Sequence, residues 1–179
     1  MTTWWPYFRF AAAALGFAAI ARQLTLTLSN AANASTEWGG HLPTLMVNFF
    51  SYFTILSNFI TAVVLVIGGI WALRTRKSAD VEPVWLATLF ACISTYMIVT
   101  GIVYNLLLRN IPLGGISDVW TNETLHVVIP LVMLADVLFA PRRRALGWST
   151  VFIAAIFPVV WAVYTLIRAN FVIGPATGN

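Results

Sequence analysis

The segment "NFFSYFTILSNF" (48–59) sets hydroxyl and amide side chains into a strongly apolar background. Ser51, Thr54, Asn58 and Thr61 recur at helical spacing, and 100° of rotation per residue would place them within an arc of about 80°. In lipid, each such group needs a partner or water, so the stripe requires a structural or functional reason. A hydroxyl here becomes a nucleophile when a nearby base removes its proton.

A base of the right kind is present in "TNETLHVVIPL" (121–131), which contains His126. An ionisable side chain within a membrane helix indicates function, and neutral imidazole is suited to taking a proton near pH 7. At 1.5 Å per residue, Thr54 lies about 14 Å and His126 about 8 to 14 Å from the outer ends of their predicted helices. The sequence therefore predicts a Thr54–His126 pair for ester hydrolysis, in which an acyl-threonine forms and is cleared by water. Interhelical hydrogen bonding and a histidine satisfied by a neighbour are the structural alternatives.

Other side chains are predicted to support this pair. Asn58, one turn from Thr54, is the expected oxyanion donor, and Ser51 is the alternative donor. Glu123 precedes His126 by three residues on one helical face and could orient the ring. We expect Glu123 to be mostly structural, because an acid in a first helical turn also balances the helix dipole.

Two arginines are candidates for binding a substrate carboxylate. Arg168 and Arg109 lie near the outward ends of the fifth and third predicted spans, and Arg22 is a weaker candidate. The alternative is that each side chain extends to the membrane interface. Asp136, about 15 Å from His126 along the helix, is too distant to be its partner and is expected to contact the "PRRR" loop (141–144).

Composition predicts the architecture that must position these residues. Of 179 residues, 60% are hydrophobic and 9% are charged, and the mean hydropathy is +0.85. Such a chain is not a soluble domain, and a span of about 30 Å takes about 20 helical residues. Since the apolar runs lack the period-two alternation of a β-barrel, we predict an all-α bundle forming a single transmembrane domain over 1–179. The predicted spans are Tyr7–Leu28, Pro43–Leu73, Val84–Leu108, Thr121–Ala140 and Ser149–Phe171.

The basic residues predict the orientation of the bundle. "RTRK" (74–77), the "PRRR" loop and Arg9 mark the cytoplasmic side, together with the N-terminus. The loops with Glu37 and Asp118 then face outward, and the net charge of +4 reflects topology rather than nucleic-acid binding. Arg9 followed by "AAAALGFAAIA" also imitates a signal peptide. The tail "VIGPATGN" (172–179) resembles the start of another loop, which predicts a sixth span beyond it.

Other classes fit less well. A haem carrier needs paired intramembrane histidines, whereas His41 is placed in a loop or at the mouth of a span. Two histidines without clustered cysteines or carboxylates do not predict a metal site, so no cofactor is expected. No repeat indicates a transporter. The main alternative is a non-catalytic lipid-binding or scaffold protein, and the oligomeric state stays open.

Two motifs resemble a known family. "FSYFTILSN" (50–58) and "ETLHVVIPLVMLAD" (123–136) are similar to the bacterial branch of the androgen-induced-gene-1-like family of six-span membrane proteins. The resemblance implies a bacterial cell-membrane protein. It also implies a threonine hydrolase of fatty acid esters of hydroxy fatty acids, whose intramembrane Thr and His match Thr54 and His126.

Overall fold

A computed structural model describes residues 4–35, 39–78, 80–112 and 114–172, and within these ranges the chain is helical with no strand. The helices are α1 (Trp5–Ala32), α2 (Leu42–Ser51), α3 (Phe53–Arg74), α4 (Val84–Val103), α5 (Val119–Glu123), α6 (Ile129–Phe139) and α7 (Ser149–Ala169). The described ranges also contain two π-helical segments. Tyr104–Leu108 extends α4, and Thr124–Val128 joins α5 to α6.

Among the described residues, five helical segments are long and apolar enough to cross a membrane: Trp5–Ala32, Phe53–Arg74, Val84–Leu108, Val119–Phe139 and Ser149–Ala169. The prediction of an all-α bundle with five spans is therefore confirmed. Glu37 and residues 173–179, which include nearly all of the tail that suggested a sixth span, lie outside the described residues.

The second predicted span, Pro43–Leu73, is wrong in one respect, because the helix breaks at Tyr52. Tyr52 has φ −68° and ψ 126°, so it ends α2 and begins α3. A continuous helix over 43–73 would be about 46 Å long, much more than the hydrocarbon thickness of about 30 Å. The break places Ser51 on a different helix from Thr54, and the predicted polar stripe does not extend to Ser51.

Four helices enclose the core. α1 packs on α3, α3 on α4, α4 on α6, and the segment Thr124–Val128 returns to α1. Small side chains on α1 permit this close approach. The central cluster of buried residues comprises Ala12, Ala13, Ala62, Val64, Leu65, Leu86, Phe90, Ile93, Met97, Ile129 and Met133.

The last long helix, α7, lies outside this four-helix core and buries none of its side chains. Its aromatic contacts are with α3 and α4: Phe157 lies 5.4 Å from Phe53 and 5.2 Å from Tyr96 between ring centroids, and Trp161 lies 5.1 Å from Phe53. α7 therefore attaches to α4 and to the start of α3.

An ionic cluster lies at the end of the bundle that carries the "PRRR" loop, which we call the arginine end. Arg9 Nε lies 2.9 Å from Asp136 Oδ1, and Trp5 Nε1 donates to the same oxygen at 2.8 Å. Arg143 donates to Asp136 Oδ2, so the predicted contact between Asp136 and the "PRRR" loop is confirmed. Glu82 completes the cluster 3.4 Å from Arg9, and burial raises the pKa of Glu82.

This cluster gives Arg9 a role that the sequence did not reveal. Arg9 is only 2% exposed, although the sequence indicated only that it marks the cytoplasmic side. Because α1 buries Arg9, Ala12 and Ala13 in the bundle, it is an integral helix of the fold, which disfavours the signal-peptide alternative.

At the opposite end, which we call the site end, Asp118 caps the span that carries His126. Asp118 Oδ1 accepts from the Thr121 backbone N–H at 2.8 Å, and Asp118 Oδ2 accepts from Arg22 Nε at 2.8 Å. Arg22 is thus paired rather than available to a substrate. Hydrogen bonds from Thr121, followed by the contact with Arg22, hold the pKa of Asp118 below its ordinary value of 3.8.

Acidification should reveal this cap. Because the folded state lowers the pKa of Asp118, the carboxylate stabilises the fold above pH 3.8, and the stabilisation is lost as the pH falls through the folded-state pKa. Asp118→Asn retains a good cap but removes the charge. We expect wild type to melt above the variant near neutral pH and the difference to shrink on acidification, measured by thermal unfolding in detergent. A difference that is independent of pH would contradict this role, and Arg22→Gln should reproduce part of the change.

Candidate active site

The structure brings together the two residues that the sequence singled out. Thr54 Oγ1, in the first turn of α3, lies 3.2 Å from His126 Nε2 in the segment Thr124–Val128. Both side chains are half-buried at the site end of the bundle. Their predicted proximity is confirmed, although the two residues lie 72 positions apart in the chain.

The main chain determines which ring nitrogen faces the hydroxyl. His126 Nδ1 lies 2.9 Å from the carbonyl oxygen of Asn122. Because a carbonyl oxygen only accepts, Nδ1 must carry the hydrogen, and Nε2 of the neutral ring is the acceptor. Thr54 Oγ1 therefore donates to Nε2, which is the arrangement that a general base requires.

Glu123 does not contact the imidazole, and the sequence did not identify the group that orients the ring. Glu123 Oε2 lies 2.9 Å from Arg109, and Glu123 Oε1 accepts from the Tyr104 hydroxyl at 3.3 Å. Glu123 is thus structural, as expected, and Asn122 orients His126.

A local change of hydrogen bonding positions His126 against α3. The Ile129 N–H bonds to the Thr124 carbonyl, five residues back, rather than to Leu125 as an α-helix would require. The Leu125 carbonyl is then available to a side chain, and Asn58 Nδ2 donates to it at 3.2 Å. Pro130 follows directly and has no N–H to continue the α-helical pattern.

The oxyanion role predicted for Asn58 is not supported by this geometry. Asn58 Nδ2 donates to the Thr54 carbonyl at 2.9 Å as well as to Leu125. Rotating the amide would set its oxygen against two carbonyl oxygens, so the nitrogen must face them. Asn58 instead links the main chain of α3 at Thr54 to the segment that carries His126.

Ser51 is also placed away from the pair. Its hydroxyl lies 2.8 Å from the Tyr164 hydroxyl, and its carbonyl accepts from Trp161 Nε1 at 2.8 Å. The break at Tyr52 separates Ser51 from the face of α3 that carries Thr54. Ser51 therefore joins α2 to α7, and its predicted role as an alternative oxyanion donor is not supported.

The same break supplies other donors. α3 begins at Phe53, and its first internal bond runs from the Leu56 N–H to the Tyr52 carbonyl at 3.1 Å. No described residue accepts from the N–H groups of Phe53, Thr54 or Ile55. These donors and the positive end of the helix dipole lie beside the Thr54 hydroxyl, where developing negative charge would be stabilised.

Tyr104 is a site residue that the sequence did not single out. Its ring stacks on the His126 ring with centroids 4.5 Å apart and planes at 20°. Its hydroxyl accepts from Asn122 Nδ2 at 2.6 Å, so Asn122 contacts both rings. A tyrosine in the apolar run "GIVYNLLL" (101–108) gives no signal of this role, because an interfacial or core aromatic would have the same pattern.

The two carboxylate-binding candidates differ in their surroundings. Arg109 is neutralised by Glu123 and also donates to Asn105 Oδ1. Arg168 donates to the neutral Asn48 side chain and has no carboxylate partner among the described residues. It lines a cavity of about 280 Å³ between α2 and the end of α7. Arg168 is therefore the better of the two cations for an anionic ligand.

Comparison with known proteins adds no identification. The chain matches no protein-family model, no curated protein and no solved structure. Within the described ranges, no group of three or more His, Cys, Asp or Glu side chains could hold a metal ion. The resemblance of the two motifs remains a prediction, and the chemical groups present at the site are a hydroxyl, an oriented imidazole and a helix N-terminus.

Proposed function

We propose that this chain is an intramembrane lipid ester hydrolase with Thr54 as nucleophile and His126 as general base. The observation that carries the proposal is the ordered chain Asn122 carbonyl, His126 ring, Thr54 hydroxyl. It supplies a nucleophile, a base in the required tautomer and a group that orients the base.

The reaction proceeds by acyl transfer. Thr54 Oγ1 bonds to the ester carbonyl carbon while its proton passes to His126 Nε2. The bond from that carbon to the alcohol oxygen then breaks, and His126 returns the proton to the leaving alcohol. Water, activated by the same ring nitrogen, attacks the acyl-threonine, which releases the carboxylic acid and restores the Thr54 hydroxyl.

The charge that develops on the carbonyl oxygen is stabilised by main-chain donors at the start of α3. We assign this role to N–H groups of Phe53, Thr54 and Ile55 in place of the side chains of Asn58 and Ser51. By analogy, hydrolases that present their nucleophile at a helix start use the N–H of the following residue, which here is Ile55.

The proposed setting is the bacterial cell membrane, with the arginine end cytoplasmic and the site in the outward half. It rests on the basic residues at the arginine end and on the resemblance to the androgen-induced-gene-1-like family. The proposed substrates are fatty acid esters of hydroxy fatty acids or similar lipid esters, with Arg168 as the candidate partner of a free carboxylate.

An ester-like phosphonate probe tests the nucleophile directly. We expect the purified protein in detergent to be phosphonylated at Thr54, identified by mass spectrometry, and Thr54→Ala and His126→Ala each to abolish labelling. Thr61→Ala is the matched control, because it removes a buried hydroxyl from the same helix away from His126. Labelling that survives both site substitutions in folded protein would favour the alternative of a non-catalytic lipid-binding or scaffold protein.

Tyr104 should act by positioning the imidazole. Tyr104→Phe keeps the stacked ring but releases Asn122, whereas Tyr104→Leu removes the stacking, which contributes about 0.5 to 1.5 kcal/mol. We expect kcat to fall about 2-fold to 10-fold more in Tyr104→Leu than in Tyr104→Phe, with KM nearly unchanged. Steady-state kinetics across the pH range would check this, since a displaced base also shifts the pH profile of kcat/KM. Equal rates and profiles in both variants would contradict a positioning role.

A further inference from the structure

The arginine end of the bundle carries more positive charge than its own carboxylates neutralise. Arg9 and Arg143 form the ion pairs with Asp136 and Glu82 in the buried cluster. Asp80, in the loop between α3 and α4, is exposed and forms no ion pair with the described residues. Five further cations at this end have no carboxylate partner in the described ranges: Arg74, Arg76, Lys77, Arg142 and Arg144. A positive surface therefore remains after the buried cluster is complete, and we call these five residues the basic surface.

Arg142 joins the two loops of the basic surface. Its Nη1 donates to the Thr75 carbonyl at 2.9 Å and to the Thr75 hydroxyl at 3.0 Å. Its guanidinium carbon lies 4.6 Å from the centre of the Trp71 ring. These partners are neutral, so the charge of Arg142 stays uncompensated beside the segment that carries Arg74 and Arg76. The "PRRR" loop thus adds its charge to that of "RTRK" on one face of the bundle end.

Exposed tryptophans mark the level of the lipid headgroups at this end. Trp4 precedes α1, Trp85 lies in the first turn of α4, and Trp148 precedes α7, and all three side chains are exposed. Tryptophan is enriched at the membrane–water interface, where its ring lies among the headgroups. Because α3 ends at Arg74 on the same side of the bundle, the basic surface lies at the level of these rings.

We propose that the basic surface binds the headgroups of anionic phospholipids in the adjoining leaflet. The phosphate diester of such a lipid is negatively charged, and guanidinium groups match phosphate oxygens in charge and geometry. Clusters of about four to eight Lys and Arg directly beyond a membrane helix are typical of anionic-lipid recognition. Binding here requires neither the Thr54–His126 pair nor its chemistry.

Competition between two lipids tests the proposal. The purified full chain in neutral detergent is mixed with equal amounts of dioleoyl phosphatidylglycerol and dioleoyl phosphatidylcholine, and the bound lipid is measured by native mass spectrometry. We expect phosphatidylglycerol to be preferred, and the preference to fall about fivefold for each cation removed at low ionic strength. Arg76→Gln with Lys77→Gln, at exposed positions beyond α3, should therefore lower it roughly 25-fold. Arg74→Gln, in the last turn of α3, is a second variant if that pair does not fold.

Two controls separate charge from position. Arg76→Lys with Lys77→Arg keeps both charges and should keep the preference for phosphatidylglycerol. Arg22→Gln removes one positive charge at the site end and should also leave the preference unchanged. Equal binding of both lipids by wild type, an unchanged preference in Arg76→Gln with Lys77→Gln, or an equal loss in either control would overturn the proposal.

Photo-crosslinking locates the bound lipid. In vesicles of phosphatidylcholine, a phosphatidylglycerol with a diazirine on its headgroup should crosslink to residues 74–77 or 142–148, and the yield should fall in Arg76→Gln with Lys77→Gln. Added salt should lower the yield as well, because it screens exposed charges. Crosslinks confined to the site end, or displacement of the lipid by equal concentrations of glycerol 3-phosphate or of an oligonucleotide, would show that this surface is not an anionic-lipid site.

Discussion

Thr54→Ala is expected to lower kcat for lipid ester hydrolysis by at least about 10³-fold with little change in KM. The substitution removes the atom that bonds to the carbonyl carbon and leaves the start of α3 in place. His126→Ala should cause a similar loss, because the Thr54 hydroxyl then has no base. Combining the two substitutions should cost no more than either alone, since the residues act as one unit.

Two control variants test whether the losses in Thr54→Ala and His126→Ala come from the missing nucleophile and base. Thr54→Ser keeps a hydroxyl and should retain measurable activity, whereas Thr61→Ala should leave kcat within a few-fold of wild type. Rates are best measured with a long-chain ester in detergent and compared at equal folded fraction by thermal unfolding. Multiplicative losses in the double variant, or full activity in either single variant, would show that the 3.2 Å contact is an interhelical hydrogen bond without catalytic function.

The parts of the site that depend on hydropathy and depth could be predicted from the sequence. Long apolar runs locate the spans, and distance along each helix places Thr54 and His126 at one level. Details that depend on helix irregularity could not be predicted. The break at Tyr52 has no proline or glycine to mark it, and it removes Ser51 from the site.

The sequence also could not predict which groups each polar side chain contacts in the folded protein. Asn58 has two amide hydrogens, and only the altered hydrogen bonding at Leu125 shows that main-chain carbonyls take both. Arg9 fits the charge pattern of a cytoplasmic loop, which gives no measure of its burial. Tyr104 has the same apolar surroundings as a structural aromatic. Each of these roles depends on what the neighbouring helix presents, and a single sequence does not contain that information.

α6 and the segments before it connect the site to the buried ionic cluster. His126 lies at the site end of this span and Asp136 at the arginine end, where α1, α6 and the loop with Glu82 meet. The Phe90 ring contacts the guanidinium groups of both Arg9 and Arg143, which lie 4.2 and 4.7 Å from its ring centre. We infer that the cluster fixes the position of α6 against α1, and through α6 the register of His126 against Thr54.

Asp136→Ala should therefore destabilise the fold by about 3 to 5 kcal/mol, the usual cost of removing one partner from a buried ion pair. Arg9 is 2% exposed and Asp136 is fully buried, so solvent cannot compensate the charge left when Arg9 and Arg143 share Glu82 as their remaining carboxylate partner. Thermal unfolding in detergent would measure the loss. Arg9→Met with Asp136→Leu removes both charges and should recover much of the stability. If Asp136→Ala melts like wild type, or if the double variant melts below Asp136→Ala, α6 is held by apolar packing rather than by this cluster.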